Sequence, residues 1–305
     1  MFNNKIYGIL IKYPILKEKK KVKNYLGREE KDLKNSTSIA IGGFDGMHIG
    51  HQKLFGALDK GGTIVVIETG YANLTPKKER QRFSHYPIVY LELDSIRHLS
   101  GEEFILFLKE KFPKLKKIVV GYDFHFGKNR KYSFNDLKTL FDGEVVVIDE
   151  VSLHGDSVHS HKIRAKLQIG DIKGANAFLG HNYTIRGSVV SGQGIGKKEL
   201  VATINIEAED FLMPKEGVYA TLTRIDDEEH FHPSVSFVGH RVTTDGSFAL
   251  ESHILDGEVF CKEKASISFV SFIRENKKFD SIVELKKAIK KDILTASKEL
   301  KFLQI

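Results

Sequence analysis

Cysteine is almost missing from this chain: Cys261 is the only one in 305 residues. An internal disulfide is excluded, and a reducing cytoplasm is the simplest setting. Long apolar runs are missing too, none approaching the roughly 18 residues that span a bilayer. The N-terminal stretch KIYGILIKYPILKEKKKVK has its positive charge mostly behind a short apolar patch. A secretory signal has the reverse order. There is no internal repeat and no heptad, which leaves the oligomeric state open. These absences point to a cytoplasmic enzyme-sized chain with no membrane partner.

What is present is an ordinary globular composition, 41% hydrophobic and 29% charged, with a formal net charge of +7. The length suits two domains. A modest positive balance suits anionic substrates such as nucleotides, and equally a nucleic-acid surface. The basic stretch KEKKKVKNYLGREEKDLKNS motivates the second idea. Acidic residues interrupt it, as on a solvated face, so no nucleic-acid partner is expected.

Beyond a basic extension over residues 1–36, short β-branched runs alternate with helical patterns. SIAIGG, TIVVIE, PIVYLELD, KKIVVGYD and EVVVIDEV read as strands. GEEFILFLKEKF and SFNDLKTLF read as helices, the second capped by Ser133. Such alternation predicts an α/β domain with a parallel, Rossmann-like sheet over 37–165. A helical connector follows over 166–182, with Asp171 as cap and Gly180 as stop. From 183 to 305 the strands YTIRGSVVSG, EGVYATLTRI, HPSVSFVG, FALESHILD and ASISFVSFIR have no room for crossover helices between them. They predict a small antiparallel β-barrel. A closing helix has Ser281 and Glu284 as capping box and Leu285, Ile289 and Ile293 as its buried stripe.

Four stretches carry candidate chemistry. In AIGGFDGMHIGHQKL, His48 and His51 share one face of a helix's first turn, beyond the carboxyl end of a strand. Gly46 and Gly50 let a phosphate approach the backbone, and the imidazoles can donate to a phosphoryl oxygen as its charge rises. Taken alone, two histidines three apart are as readily structural. In VVGYDFHFG, Asp123 leaves a strand at the ligand edge. Phe124 and Phe126 read equally as a sandwich for a planar ring or as two buried anchors.

In GSVVSGQGIGKKELVATINI, Gly192, Gly194, Gly196 and Lys197 make an N–H-rich, positive loop able to wrap phosphates. Thr203 and Asn205 are hard-oxygen donors of the kind magnesium accepts. A glycine-rich hairpin with a polar strand is the plainer reading. In FALESHILD, Glu251 is either a general base or an edge-strand charge facing water.

Together these segments resemble the bacterial bifunctional riboflavin kinase/FAD synthetase family, over roughly residues 36–300. GGFDGMHIGH and GYDFHFG stand for its GNFDGxHxGH and GxDFxFG; HSHKIR stands for its SSTxIR clamp, keeping Ser160, Ile163 and Arg164. GSVVSGQGIGKKELVATINI stands for GxVxxGxxxGRxLGFPTANI, and LESHILD for the segment with the catalytic glutamate. The resemblance implies a nucleotidyltransferase-like domain followed by a riboflavin kinase barrel. It implies that ATP phosphorylates riboflavin to FMN, with Glu251 as base and Thr203 and Asn205 on magnesium. It further implies that FMN is adenylylated to FAD with release of pyrophosphate. His48, His51, Ser160 and Arg164 would then serve the ATP phosphates, while Asp123, Phe124, Phe126 and Arg274 frame nucleotide or flavin.

Departures from the family pattern are Gly43 for Asn, ETGYANLTP for FxPHP, and His159 and His161 for two hydroxyl residues. Lys197, Ala202 and Ile204 replace Arg, Pro and Ala. The alternative they raise is a riboflavin kinase with a degenerate first module.

Overall fold

A computed structural model describes residues 33–190, 202–226, 228–243, 246–257 and 263–301. Most of the basic extension, the loop carrying Gly192, Gly194, Gly196 and Lys197, and Cys261 lie outside the described residues. Two compact units divide between Ser160 and His161.

The first unit is a parallel sheet with helices on its faces. In chain order it contains β1 (Ser38–Gly42), α1 (Ile49–Gly56), β2 (Thr63–Glu68) and β3 (Ile88–Glu92). Then come α2 (Gly101–Lys111), β4 (Lys117–Gly121), α3 (Phe134–Leu140) and β5 (Glu144–Ile148). The sheet order is β3-β2-β1-β4-β5, all parallel. Its strands are apolar through their centres because both faces are covered, and their polar residues, such as Thr63, Glu68, Lys117 and Glu144, stand at strand ends. Ala40, Ile64, Val66 and Val119 pack with Leu54 and Phe55 of α1. Ile39, Ile41, Val65, Ile118 and Val120 pack with Phe104, Ile105 and Leu108 of α2 and Leu137 of α3. Each such side chain, fully buried, stabilises by about 1.5–3 kcal/mol. Caps punctuate the helices as expected: Ser100 with Glu103 starts α2, and Ser133 with Asp136 starts α3. The strand order reverses direction between β1 and β4, which places a ligand crevice at their carboxyl ends.

The second unit takes in α4 (Ser160–Ile169) beyond its first residue, then α5 (Ile172–Leu179), held between Asp171 and Gly180. Asn176 of α5 ties this connector to the barrel, donating through Nδ2 to the carbonyl of Phe269 at 2.8 Å. Its Oδ1 accepts the Tyr183 N–H at 2.8 Å. The barrel strands are β6 (Thr184–Val190), β7 (Ile204–Glu207), β8 (Gly217–Ile225), β9 (His232–His240), β10 (Phe248–Ile254) and β11 (Lys264–Glu275). They close in the order β6-β7-β10-β9-β8-β11, with β11 returning to β6, and every pair is antiparallel.

Helix α6 (Ile282–Leu300) covers one outer face, seating Ile293, Ala296 and Leu300 on Val218, Ala220 and Val235. Ser281 caps it by accepting from the Glu284 N–H at 3.2 Å. The expected stripe of Leu285, Ile289 and Ile293 is only half-buried; the deepest line is Asp292, Ala296 and Leu300. The reason is ionic. Asp292, 5% exposed, receives Nε and Nη2 of Arg274 from the end of β11, at 2.8–3.1 Å.

Inside the barrel, five buried hydroxyls form one chain. Thr221 joins Ser234 and Ser236, and Thr223 joins Ser234 and Ser252, all at 2.7–2.8 Å. Strand alternation puts these side chains inward while Val218, Ala220 and Leu222 face α6. Thr223→Val keeps the shape and leaves Ser234 and Ser252 short of a partner. Urea unfolding should show a loss of about 1–3 kcal/mol. An unchanged midpoint and slope would mean that the chain of hydroxyls does not stabilise the barrel.

Candidate active sites

The first site grows from the turn after β1. Phe44 and Met47 adopt φ of 49° and 46°, and Gly46 takes φ of 86°, so the chain doubles back at the sheet edge. Such backbone is costly for Phe and Met and must be held from outside. Asp45 holds it. Its carboxylate accepts the N–H groups of Leu74 and Thr75 at 3.0 Å each, and that of Asn73 at 3.3 Å. The Gly46 N–H donates to Thr75 Oγ1 at 2.8 Å, and Ser160 Oγ donates to the Asp45 carbonyl at 2.7 Å. ETGYANLTP, the segment standing for FxPHP, is thereby clasped against the GGFDG turn. Gly46 and Ser160 already have protein partners and serve the turn's architecture.

His48 is the N-cap of α1, its Nδ1 accepting the His51 N–H at 3.3 Å. The two imidazoles are stacked, centroids 3.5 Å apart. A side chain on Gly50 would meet the His48 ring at 3.1 Å, so the space that this glycine leaves is taken by that ring. Burial, then the nearby His48, Arg80 and His159, hold the His51 pKa well below its ordinary 6.5. His51 is therefore neutral near pH 7, and its buried Nδ1 has no hydrogen-bond partner among the described residues.

Arg80 was not among the residues expected from the sequence. It lies in the 3-10 turn Lys77–Phe83, 1% exposed, with Nη1 paired to Glu68 and Nε without a partner among the described residues. Its signal was weak, one cation in a basic run.

At the end of β4 the alternation is clear. Asp123 and His125 are exposed, whereas Phe124 and Phe126 are buried. The two rings lie 5.7 Å apart, with Phe104 and Tyr132 against Phe126. Of the two readings of this segment, the core anchors are what the structure has. Both rings are packed in the apolar cluster under the sheet. Beside them Tyr122 donates to Glu150 at 2.7 Å, which pushes its pKa up to about 12. His159 Nε2 lies 3.1 Å from the same carboxylate. Of the two histidines in HSHKIR, His159 is the one whose charge reaches His51, while His161 is exposed. Arg164 follows Ser160 by one turn of α4, within the second unit.

The second site is built by strand register. Asn205 of β7 stands directly opposite Glu251 of β10. Cross-strand partners share a face, so their side chains are neighbours. Arg241, just past β9, joins them. Its Nε donates to Glu251 Oε1 at 2.7 Å, and Nη2 donates to the same oxygen and, at 2.8 Å, to Asn205 Oδ1. Nη1 donates to Ser247 Oγ at 2.7 Å. Glu251 is thus no lone edge charge. Thr203 precedes β7, half-buried. Arg274, expected near flavin, is committed to Asp292 and stacks on Phe279 at 5.4 Å. Arg241 could have been suspected from the hairpin GHRVTTDGSFALE, which folds an arginine back along the strand bearing Glu251.

Two family models match the chain: "FAD synthetase" over residues 85–162 and "Riboflavin kinase" over 179–300. The bifunctional riboflavin kinase/FMN adenylyltransferase of Buchnera aphidicola is 30% identical, over 88% of this chain and 95% of that protein. The enzyme of the same name from Listeria monocytogenes is 29% identical, over 83% and 89%. A crystal structure named as a macrolide-efflux protein of Streptococcus pneumoniae superposes with a TM-score of 0.75 at 27% identity. It covers 88% of this chain and 97% of that one.

The burial of His51 has a consequence for stability. Its folded pKa lies below 6.5, so on acidification the unfolded chain takes up this proton first. Stability tied to neutral His51 is complete above about pH 6.5 and is lost as pH falls through the folded value. The unfolding midpoint should drop more between about pH 7 and about pH 5 for the parent than for His51→Gln. Equal drops would show that His51 does not carry the effect.

Proposed function

Because the chain belongs to the bifunctional riboflavin kinase/FMN adenylyltransferase family, we propose that it phosphorylates riboflavin in the barrel unit and adenylylates FMN in the sheet unit. One observation carries this reading. The two family matches fall on two different folds, and each fold presents its own cluster of polar side chains.

In the barrel, Glu251 takes the proton of the riboflavin 5′-hydroxyl as that oxygen attacks the γ-phosphorus of ATP and ADP departs. Its place beside Asn205 supports the role, since the base must sit where nucleophile and phosphate meet. Thr203 and Asn205 fit magnesium by donor chemistry: both offer hard oxygens, and Asn205 Oδ1 already faces a cation, the Arg241 guanidinium. Among the described residues no cluster of three His, Cys, Asp or Glu could hold a metal. When bound, the ion neutralises phosphate charge.

In the sheet unit, a phosphate oxygen of FMN attacks the α-phosphorus of ATP, and the bond to the departing pyrophosphate breaks. His48 and His51, at the N-terminus of α1, donate hydrogen bonds to the phosphates as negative charge shifts. A neutral His51 suits this role as a donor that does not need to be recharged. Asp123, exposed beyond β4, faces the nucleotide. Kinase activity alone is the competing reading; the clasp of Asp45 on residues 73–75 speaks for a maintained first site. Among the described residues no helix is long and apolar enough to cross a membrane.

The direct test is incubation with riboflavin, ATP and magnesium, with the flavins separated by chromatography over time. FMN followed by FAD is expected; FMN that accumulates, even when more is supplied, would leave only the kinase. Glu251→Ala should abolish FMN formation and still convert supplied FMN to FAD. His51→Ala should do the reverse, slowing adenylylation by about 10²–10³-fold. A folded variant of either kind that loses both activities would contradict two independent sites.

A further inference from the structure

We propose that Arg241 is a catalytic residue of the barrel site, the guanidinium that meets the γ-phosphoryl group while it is transferred. The proposal rests on the reading of Glu251 as the base. A base must touch the attacking hydroxyl, and the phosphate ligand must touch the other partner of the same reaction. The reacting phosphorus therefore lies between Glu251 and Asn205. Arg241 bonds to both at once, through Nε and Nη2 to Glu251 and through Nη2 to Asn205.

The guanidinium is also held in advance. Nη1 is anchored on Ser247 Oγ, and the Arg241 N–H donates to the Ser247 carbonyl at 2.9 Å, which closes the hairpin between β9 and β10. A planar fork anchored through Nη1 keeps its position while Nη2 exchanges one partner for another. Both bonds to the carboxylate end on Oε1, so Oε2 is the oxygen that receives the substrate proton.

The step then balances. The 5′-hydroxyl proton passes to Glu251 Oε2, and the hydroxyl oxygen bonds to the γ-phosphorus. The bond from that phosphorus to its bridging oxygen breaks, and ADP leaves with the electron pair. Arg241 turns Nη2 from Asn205 to an equatorial oxygen of the phosphoryl group, where charge gathers in a loose transition state.

The test compares the parent with Arg241→Ala and Arg241→Lys. FMN formation, the conversion of supplied FMN to FAD, and thermal unfolding are all measured. For Arg241→Ala, kcat should fall by about 10²–10³-fold. KM for ATP and for riboflavin should stay within about threefold. Added guanidinium ion should restore part of the lost rate, which a merely structural arginine would not allow. Arg241→Lys, which keeps charge but loses the fork, should also lose most of kcat. Unchanged kcat, or a raised KM with kcat intact, would overturn the proposal. If Arg241→Ala does not fold, Arg241→Lys decides, and parental kcat in that variant overturns it. A parent that forms no FMN would overturn the kinase reading itself, and this inference with it.

Discussion

The first site depends on one carboxylate. Asp45 accepts three backbone N–H groups from residues 73–75 and, with the Gly46 N–H donating to Thr75 Oγ1, joins two segments distant in sequence. Positive φ at Phe44 and Met47 costs of order 1–3 kcal/mol each. Hydrogen bonds to an ionised group return about 1.5–3 kcal/mol apiece. The turn is thus stable only as part of the clasp, and the turn sets where α1 begins. The start of α1 in turn sets the stacked pair His48 and His51.

The barrel site is organised in the opposite way. No strained turn among the described residues positions Asn205 and Glu251; strand pairing does, by placing them opposite each other on β7 and β10. A one-residue slip of register would send Glu251 to the other face, among the buried hydroxyls. Those hydroxyls guard against the slip. Ser252 can reach Thr223 only in the observed register, and the five-membered chain inside the barrel is specific where an aliphatic interior would accept several packings.

The fold was legible because its signals are local. Each of the five runs expected to be parallel strands is one, and Ser133, Asp171, Gly180 and Ser281 cap as their types suggest. Side-chain placements were legible where side chain and backbone act in one segment, as with the shared helix turn of His48 and His51. They were illegible where meaning comes from a partner distant in sequence. Nothing within reach of Arg274 shows that it would be claimed by Asp292 of α6. Nothing around Phe124 and Phe126 decides between ring platform and core until α2 supplies Phe104. Arg241 and Arg80 escaped notice for the same reason. A lone arginine acquires a role only from what the fold sets beside it.

The segment that replaces the family's FxPHP pattern bears on whether the first site is alive. It leads into Arg80, a buried cation whose Nε is unmatched, and whose charge reaches a histidine with an unmatched Nδ1. Each buried polar atom left without a partner costs about 1–3 kcal/mol. A module free to decay would shed such a cost, since an apolar residue at position 80 would pack as well and would spare Glu68 its burial. Arginine paired with Glu68 at the end of β2 instead keeps a positive charge near His51. An open parallel sheet binds its ligands beyond the carboxyl ends of its strands. The altered loop supports a site rebuilt with different residues for the same phosphate chemistry, rather than one abandoned.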